Sequence, residues 1–518
     1  MIRYALFTLL LLISISIFSQ PIYNRLELDA SPYYTYFYDL NGDNKKDAIE
    51  FSDEINIFYQ EENVFPVSPL KIQYPVKNFI FDFVNLEKGS GCDLIFFKED
   101  GIYKFKKVNK VLTNDIEKLI DTASIYIESD NRGKKFADIS FDLNNDGIDE
   151  IFIPRLDTPL LFKKNGEEFK NVDLPVIPLN FSQNYFGMNF KSLEEVNDPD
   201  NLYFSYESIY SSPNFLIQDF NNDGLKDLGE IVAYNSPQSL SSSDINSEDT
   251  QTQLSSVNRY YKKGSIINIY LQKENLKFPD NPDYRLNVPT PTPFWGVHFS
   301  GFDSQTLVDL NNDNFPDLIV RHTEDNIFNP KTTYKIYLGD KKEGFKKDFS
   351  QVLTTKDILG EYFISDINSD GLVDISLLYI DVNFSSTEIM ARIILGREVE
   401  IEIRTYLGKK GKLFNEKPDI KKRLVISSRC FNWWYLPNFI VNYDFDGDGK
   451  LDLLVREAVD KAFVYKFINE EKGFSNTPIL VFNLTEDSEL DLDYLNNDKK
   501  ADVIEKVRGK RLRIYLSR

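Results

Sequence analysis

One phrase returns six times along this chain and limits what it can fold into. It reads aspartate, then Asn or Asp two residues on, Asp four on, and an acid eight on. The copies are Asp39-Asn41-Asp43-Asp47, Asp142-Asn144-Asp146-Glu150, Asp219-Asn221-Asp223-Asp227, Asp309-Asn311-Asp313-Asp317, Asp366-Asn368-Asp370-Asp374 and Asp444-Asp446-Asp448-Asp452. Alternate residues of a tight loop point their oxygens inward, so positions 1, 3, 5 and 9 can surround one hard cation. The backbone carbonyl at position 7 (Lys45, Ile148, Leu225, Phe315, Leu372 and Lys450) would add a further ligand. Oxygen-only donors in a flexible cage are calcium chemistry. A single acidic turn would be weak evidence. Six with one internal spacing predict six calcium sites.

The flanks of the loops separate two folds that both use such a phrase. An EF-hand needs a bidentate Glu at position 12 and a helix on each side. Position 12 here is Glu50, Ile153, Glu230, Val320, Leu377 and Val455, so four of the six copies lack that ligand. Short apolar runs flank the loops instead, as in Phe439-Ile440-Val441 before and Leu453-Leu454-Val455 after the last copy. Short apolar runs on both sides of a turn predict a β-hairpin. The EF-hand fails.

The repeat sets the architecture. First aspartates stand at 39, 142, 219, 309, 366 and 444, with degenerate copies from Asp82 to Asp93 and around Tyr494-Asn496-Asp498-Asp502. The first degenerate copy reads as a stretched loop, and the second has Tyr in place of the position-1 acid. Units of about 50 residues with four strands each are propeller blades, and longer spacings imply insertions. The expected fold is all-β: a single propeller of four-stranded blades, eight preferred and seven the alternative. The last unit supplies only three strands, so Tyr23–Leu28 is expected to complete it and close the ring, leaving no open sheet edge.

Phrases such as 219–228 (DFNNDGLKDL) and 444–455 (DFDGDGKLDLLV) resemble FG-GAP/VCBS-type repeats, which build the integrin α-subunit propeller and many exported bacterial propellers. The resemblance spans roughly residues 30 to 515. It implies that the loop joins the first two strands of each blade and that its ion is structural. Tyr494, the stretched second copy, and Asn44 and Asn314 at position 6 depart from the pattern.

The N-terminus predicts export. Arg3 precedes an apolar stretch from Ala5 to Phe18, too short for a comfortable membrane span, and Ser19 suits cleavage before Gln20. Residues 1–19 are therefore expected to be a signal peptide and 20–518 the propeller. The destination is periplasmic, cell-surface or secreted, with no transmembrane segment in the mature chain and a monomeric state. The formal net charge is −21, and six divalent cations would offset more than half of it. That acidity argues against nucleic acid, which needs a basic footprint. Cys92 and Cys430 fall in the second blade and the approach to the seventh, and are expected to stay unpaired. Residues 235–258, rich in Ser, Thr, Gln and Asp, read as a disordered insertion.

No constellation for catalysis emerges. Two histidines, His298 and His322, have no ligand-pair spacing, and no nucleophile elbow, zinc helix or phosphate-cradling loop is present. The carboxylates are already explained as calcium ligands. The sequence is thus read as a non-enzyme: a binding or adhesion module for an unidentified protein or glycan ligand. A carbohydrate-active enzyme (glycosidase or lyase) and a scaffold of an exported assembly are the alternatives. Candidate binding surfaces are the aromatic-dense 180–215, the Trp433-Trp434 pair, and Phe294-Trp295 beside His298.

Overall fold

The structure is a computed structural model. It describes residues 23–518 except 78, 99, 122–124, 128–133, 138, 154–159, 167, 173, 175–201, 205–214, 222, 234–264, 289–303, 324–330, 341–343, 346–347, 357–361, 381–394, 431–438, 487 and 509–510. The signal peptide, the tract 235–258, most of 180–215, Phe294, Trp295, His298, Trp433 and Trp434 lie outside the described residues.

Eight four-stranded antiparallel meanders follow one another along the chain. Blades one to seven occupy 35–72, 79–121, 140–172, 215–288, 304–355, 362–427 and 439–483. Blade eight takes three strands from 488–517 and its fourth from Tyr23–Leu28, which pairs antiparallel with Arg511–Ser517 from Tyr23↔Ser517 to Leu28↔Leu512. The ring therefore has eight blades, closed by the N-terminal strand. Blade two carries an addition that the repeat pattern did not reveal: Lys134–Phe136 pairs parallel with Phe79–Phe81 on the side of the blade's first strand away from Asp93–Lys98.

The second strand of each blade explains the apolar runs after the loops. It is buried on both faces, so its successive residues serve two different cores. In blade seven, Leu453 and Val455 pack against blade six, whereas Leu454 packs against blade eight. In blade five, Leu318 and Val320 face blade four, and Ile319 faces blade six. A strand buried on both sides loses the polar alternation of a half-buried one. Each fully buried aliphatic or aromatic side chain contributes about 1.5–3 kcal/mol. Among the described residues the junction of blades one and two is the most aromatic: Phe51 stacks on Phe81 at 3.8 Å between centroids, and Tyr38 on Phe83 at 4.1 Å.

In such a meander the first-to-second and third-to-fourth connections share one end of the ring. The second-to-third connections and the links between blades share the other. The nine-residue loops belong to the first end.

Candidate metal loops and the contacts between them

All six repeated loops fold to one hydrogen-bond plan. The position-1 carboxylate accepts the amides that follow it in the turn: Asp142 Oδ1 takes Asp146 N at 3.0 Å and Oδ2 takes Gly147 N at 2.8 Å. Asp39, Asp219, Asp309, Asp366 and Asp444 do the equivalent, each with Oδ2 on the position-6 amide. The position-5 carboxylate (Asp43, Asp146, Asp223, Asp313, Asp370, Asp448) accepts the position-7 amide, that of Lys45, Ile148, Leu225, Phe315, Leu372 and Lys450. The position-3 oxygen of Asn41, Asn144, Asn221, Asn368 and Asp446 accepts the position-5 amide. Position 6 is left-handed, at φ 61° for Asn44 and 64° for Asn314. Asn tolerates that region, which accounts for the two departures from Gly.

Position 9 fixes the loop to its blade. Asp47, Glu150, Asp227, Asp317, Asp374 and Asp452 are all buried. One carboxylate oxygen of each accepts the position-2 amide, as Asp47 Oδ2 accepts Leu40 N at 3.0 Å. In five of these blades the other oxygen accepts an amide where the third strand ends: Gln60, Gln272, Gly339, Gly408 and Phe467. Burial pushes each of these six acids up to about 7; the backbone donors oppose the shift and the neighbouring loop acids add to it.

The donor set fits a hard divalent cation. In the seventh loop, carboxylate oxygens of Asp444, Asp446 and Asp452 lie within 4.8 Å of one another, a triad that can hold a metal ion. It is also the one repeated loop with a carboxylate rather than an amide at position 3. In the fifth loop, Asn311 is 7% exposed and its Oδ1 is buried with no hydrogen-bond partner, an oxygen that a cation would satisfy. Calcium would supply the counter-charge these buried carboxylates lack.

The two degenerate loops do not behave alike. The second blade's first strand, Phe79–Val84, takes in Asp82, and Val84 pairs with Asp93 just as Tyr38 pairs with Asp47. The loop therefore runs from Asn85 to Asp93, nine residues, and is not stretched. Its positions 1, 3, 5 and 9 are Asn85, Glu87, Gly89 and Asp93. A lysine supplies positive charge there: Lys107 Nζ lies 3.4 Å from Asp93 Oδ1 and 2.9 Å from the Cys92 carbonyl. The eighth loop keeps the plan without a position-1 acid. Asp502 still accepts Leu495 N and Ser517 N, each at 2.7 Å.

Lys107 exposes a position that sequence reasoning missed. One residue past the place opposite position 9, near the end of the third strand, stand Gln60, Lys107, Lys164 and Gln272 in the first four blades. Three of them reach the preceding loop. Gln60 Nε2 donates to Leu495 O at 3.1 Å, Lys164 Nζ to Leu86 O at 3.0 Å and Gln272 Nε2 to Leu143 O at 2.7 Å. Long donor side chains at one repeat position were the available signal.

Backbone bonds join the loops as well. The position-8 amide donates to the position-1 or position-2 carbonyl of the preceding loop at six junctions. These are Lys46 to Leu495 at 2.9 Å, Cys92 to Asp39 at 2.6 Å, Asp149 to Asn85 at 2.9 Å, Lys226 to Leu143 at 2.9 Å, Leu451 to Ile367 at 3.0 Å and Ala501 to Asp444 at 2.7 Å. At the fifth loop position 8 is Pro316, which has no N–H. Val373, position 8 of the sixth loop, makes no such bond among the described residues.

Cys92 and Cys430 are both free and buried, in line with the expectation that they stay unpaired. No helix among the described residues is long and apolar enough to cross a membrane.

No protein-family model matches the sequence, and no curated protein matches it. Solved structures do resemble it in fold. One is an Agrocybe aegerita lectin, in a structure described for specific recognition of non-reducing terminal N-acetylglucosamine. It is 12% identical with a TM-score of 0.40, over 90% of this chain and 94% of that one. Another is the exotype rhamnogalacturonan lyase YesX, 13% identical with a TM-score of 0.29, over 95% of this chain and 72% of that one. The chain is an eight-bladed β-propeller with distant structural likeness to a lectin and a polysaccharide lyase.

Proposed function

We propose that this chain is an exported, calcium-stabilised propeller of the FG-GAP/VCBS type that acts as a non-catalytic binding or adhesion module for a protein or glycan ligand. The observation carrying this reading is the common plan of the six loops. In every one the position-9 carboxylate is buried and bonded to its own loop, and positions 1 and 5 hold their carboxylates on the same turn. On this reading the loop acids serve ring structure and about six cations rather than catalysis. Sites of this oxygen-only kind suit a calcium-containing space outside the cytosol, where weak extracellular modules bind at about 10⁻⁴–10⁻³ M. The ring then serves as a rigid frame for whatever surface meets the ligand.

The test is binding by the purified mature chain. A glycan array that includes N-acetylglucosamine-terminated glycans and pectic fragments should give saturable hits that free sugar competes away, if the ligand is a glycan. For a protein ligand, capture should weaken in EDTA and return with Ca²⁺. Cleavage of an offered polysaccharide, with products that accumulate over time, overturns the non-catalytic reading.

A further inference from the structure

Backbone bonds tie six loops to the one before, side-chain bonds reinforce three of those junctions, and among the described residues neither is found at loops five and six. The backbone bond from position 8 is present from the sixth loop through the seventh, eighth, first, second and third to the fourth. The side-chain bond from Gln60, Lys164 and Gln272 reinforces three of those junctions. Pro316 removes the backbone donor between the fourth and fifth loops. In blades five and six the bridging position is Gly339 and Gly408. A Cβ there would lie 2.2 Å from the Pro316 carbonyl and 2.5 Å from the Val373 carbonyl, so neither place can carry a bridging side chain. The fifth loop is instead touched from a different connection, by Gly411 N on Asn311 O at 2.9 Å.

We propose that calcium binding is cooperative among the ion-binding loops six, seven, one, three and four, linked in that order through loops eight and two, and independent at loop five. The inference rests on the calcium reading above. Position 8 sits between the ligand positions 7 and 9 of its own loop. The carbonyl it meets belongs to position 1 or 2 of the preceding loop, beside or between ligand positions 1 and 3. An ion that orders either loop therefore fixes one half of the bond at the junction. The second ion then orders a loop that is already partly held, so less conformational entropy is lost when it binds. By linkage the effect is reciprocal between the two sites. Loops three and four carry the strongest link. Leu143 O accepts both Lys226 N at 2.9 Å and Gln272 Nε2 at 2.7 Å, and Gln272 Nε2 also holds the Lys226 carbonyl at 2.8 Å.

Calorimetric titration with calcium alone, on the full chain after EDTA and desalting, tests this. Wild type should bind with a steeper-than-hyperbolic isotherm. Asp309→Ala should lose one ion and leave the rest of the isotherm unchanged. Asp142→Ala should lose its own ion and also weaken loop four, by a factor of about five or more. Asp366→Ala should do the same to loop seven. Gln272→Leu removes a side chain that touches no ligand position and keeps the backbone amide on Asp227; it should keep the full ion count and reduce the steepness, so it reads coupling even if an aspartate variant folds poorly. Isotherms for Asp142→Ala and Asp366→Ala that equal wild type minus one independent site overturn the proposal, as does an unchanged Gln272→Leu. Six identical independent sites in wild type sink the coupling alone. No calcium binding at all sinks the reading beneath it.

Discussion

The seventh and second loops have the same length and the same strand register, and they meet the need for positive charge in opposite ways. The seventh gathers Asp444, Asp446 and Asp452, a set that suits a divalent ion from solution. Lys466 approaches it from the third strand's end, contacting Asp446 and lying 2.8 Å from Asp448 Oδ2. The second has Asn85 and Gly89 where the seventh has aspartates, and Lys107 answers its Asp93. Its backbone differs too: left-handed residues fall at Gly89 and Gly91, positions 5 and 7, rather than at positions 4 and 6. On the proposed reading the seventh loop would take its cation from solution, whereas the second carries one on the chain. A propeller can thus drop an ion from one blade and keep the ring, provided a tethered ammonium reaches the position-9 carboxylate.

Four substitutions or probes would break or sharpen that contrast. The largest effect is expected at Asp452, which holds two buried amides, Phe445 N and Phe467 N. Asp452→Ala orphans both at about 1–3 kcal/mol each. Urea unfolding should show this loss even in EDTA, with the calcium-dependent stabilisation of that loop gone as well. A variant as stable as wild type in EDTA would mean that position 9 matters only through metal.

Next comes Lys107→Met, which leaves the Asp93 carboxylate buried without its cation. Breaking a buried pair costs about 3–5 kcal/mol, and partial exposure of Lys107 places this one near the lower end. The decrease should be equal in Ca²⁺ and in EDTA. If added calcium rescued the variant, the second loop would be a metal site after all. Lys466→Met should act the other way. Removing an ammonium that competes for Asp446 and Asp448 should raise calcium affinity at the seventh loop by up to about tenfold, near 1.4 kcal/mol. Weaker binding in this variant would show that Lys466 supports the loop instead of competing with its ion.

The smallest effect concerns the Cys92 thiol, which donates to Asn85 Oδ1 within the second loop. Burial, then Asp149 and Asp39, pushes it up to about 12 from its ordinary 9. A raised pKa means that the native state keeps a proton the unfolded chain gives up. This thiol's contribution is therefore full below pH 9 and is lost as pH climbs from 9 towards 12. A disulfide reagent at pH 8 should label Cys92 only as fast as the chain unfolds, and EDTA should not accelerate it beyond its effect on global stability. Rapid labelling in EDTA would show that the second loop opens when the others lose metal.

Much of the fold was legible because the repeat marks the start of every blade. The closing strand Tyr23–Leu28 was readable from the three-strand count of the last unit. The second loop was misread for a physical reason. Matching on aspartate alone gave Asp82 the first position, whereas Asp82 lies inside a strand and its oxygens accept the amides of Phe83 and Ile139. Strand pairing, which a single sequence does not display, sets the loop start at Asn85. The backbone bonds between loops were invisible for a related reason: they join amides and carbonyls, and every residue but proline has both. Only Pro316, which lacks the donor, left a mark in the sequence.

The most direct measurement is the calcium content of the folded chain at saturation, by equilibrium dialysis with elemental analysis, beside Asp444→Ala and Lys107→Met. The account predicts about six ions in wild type, one fewer in Asp444→Ala and no change in Lys107→Met. Wild type with no bound calcium, or Asp444→Ala with the wild-type count, would contradict it.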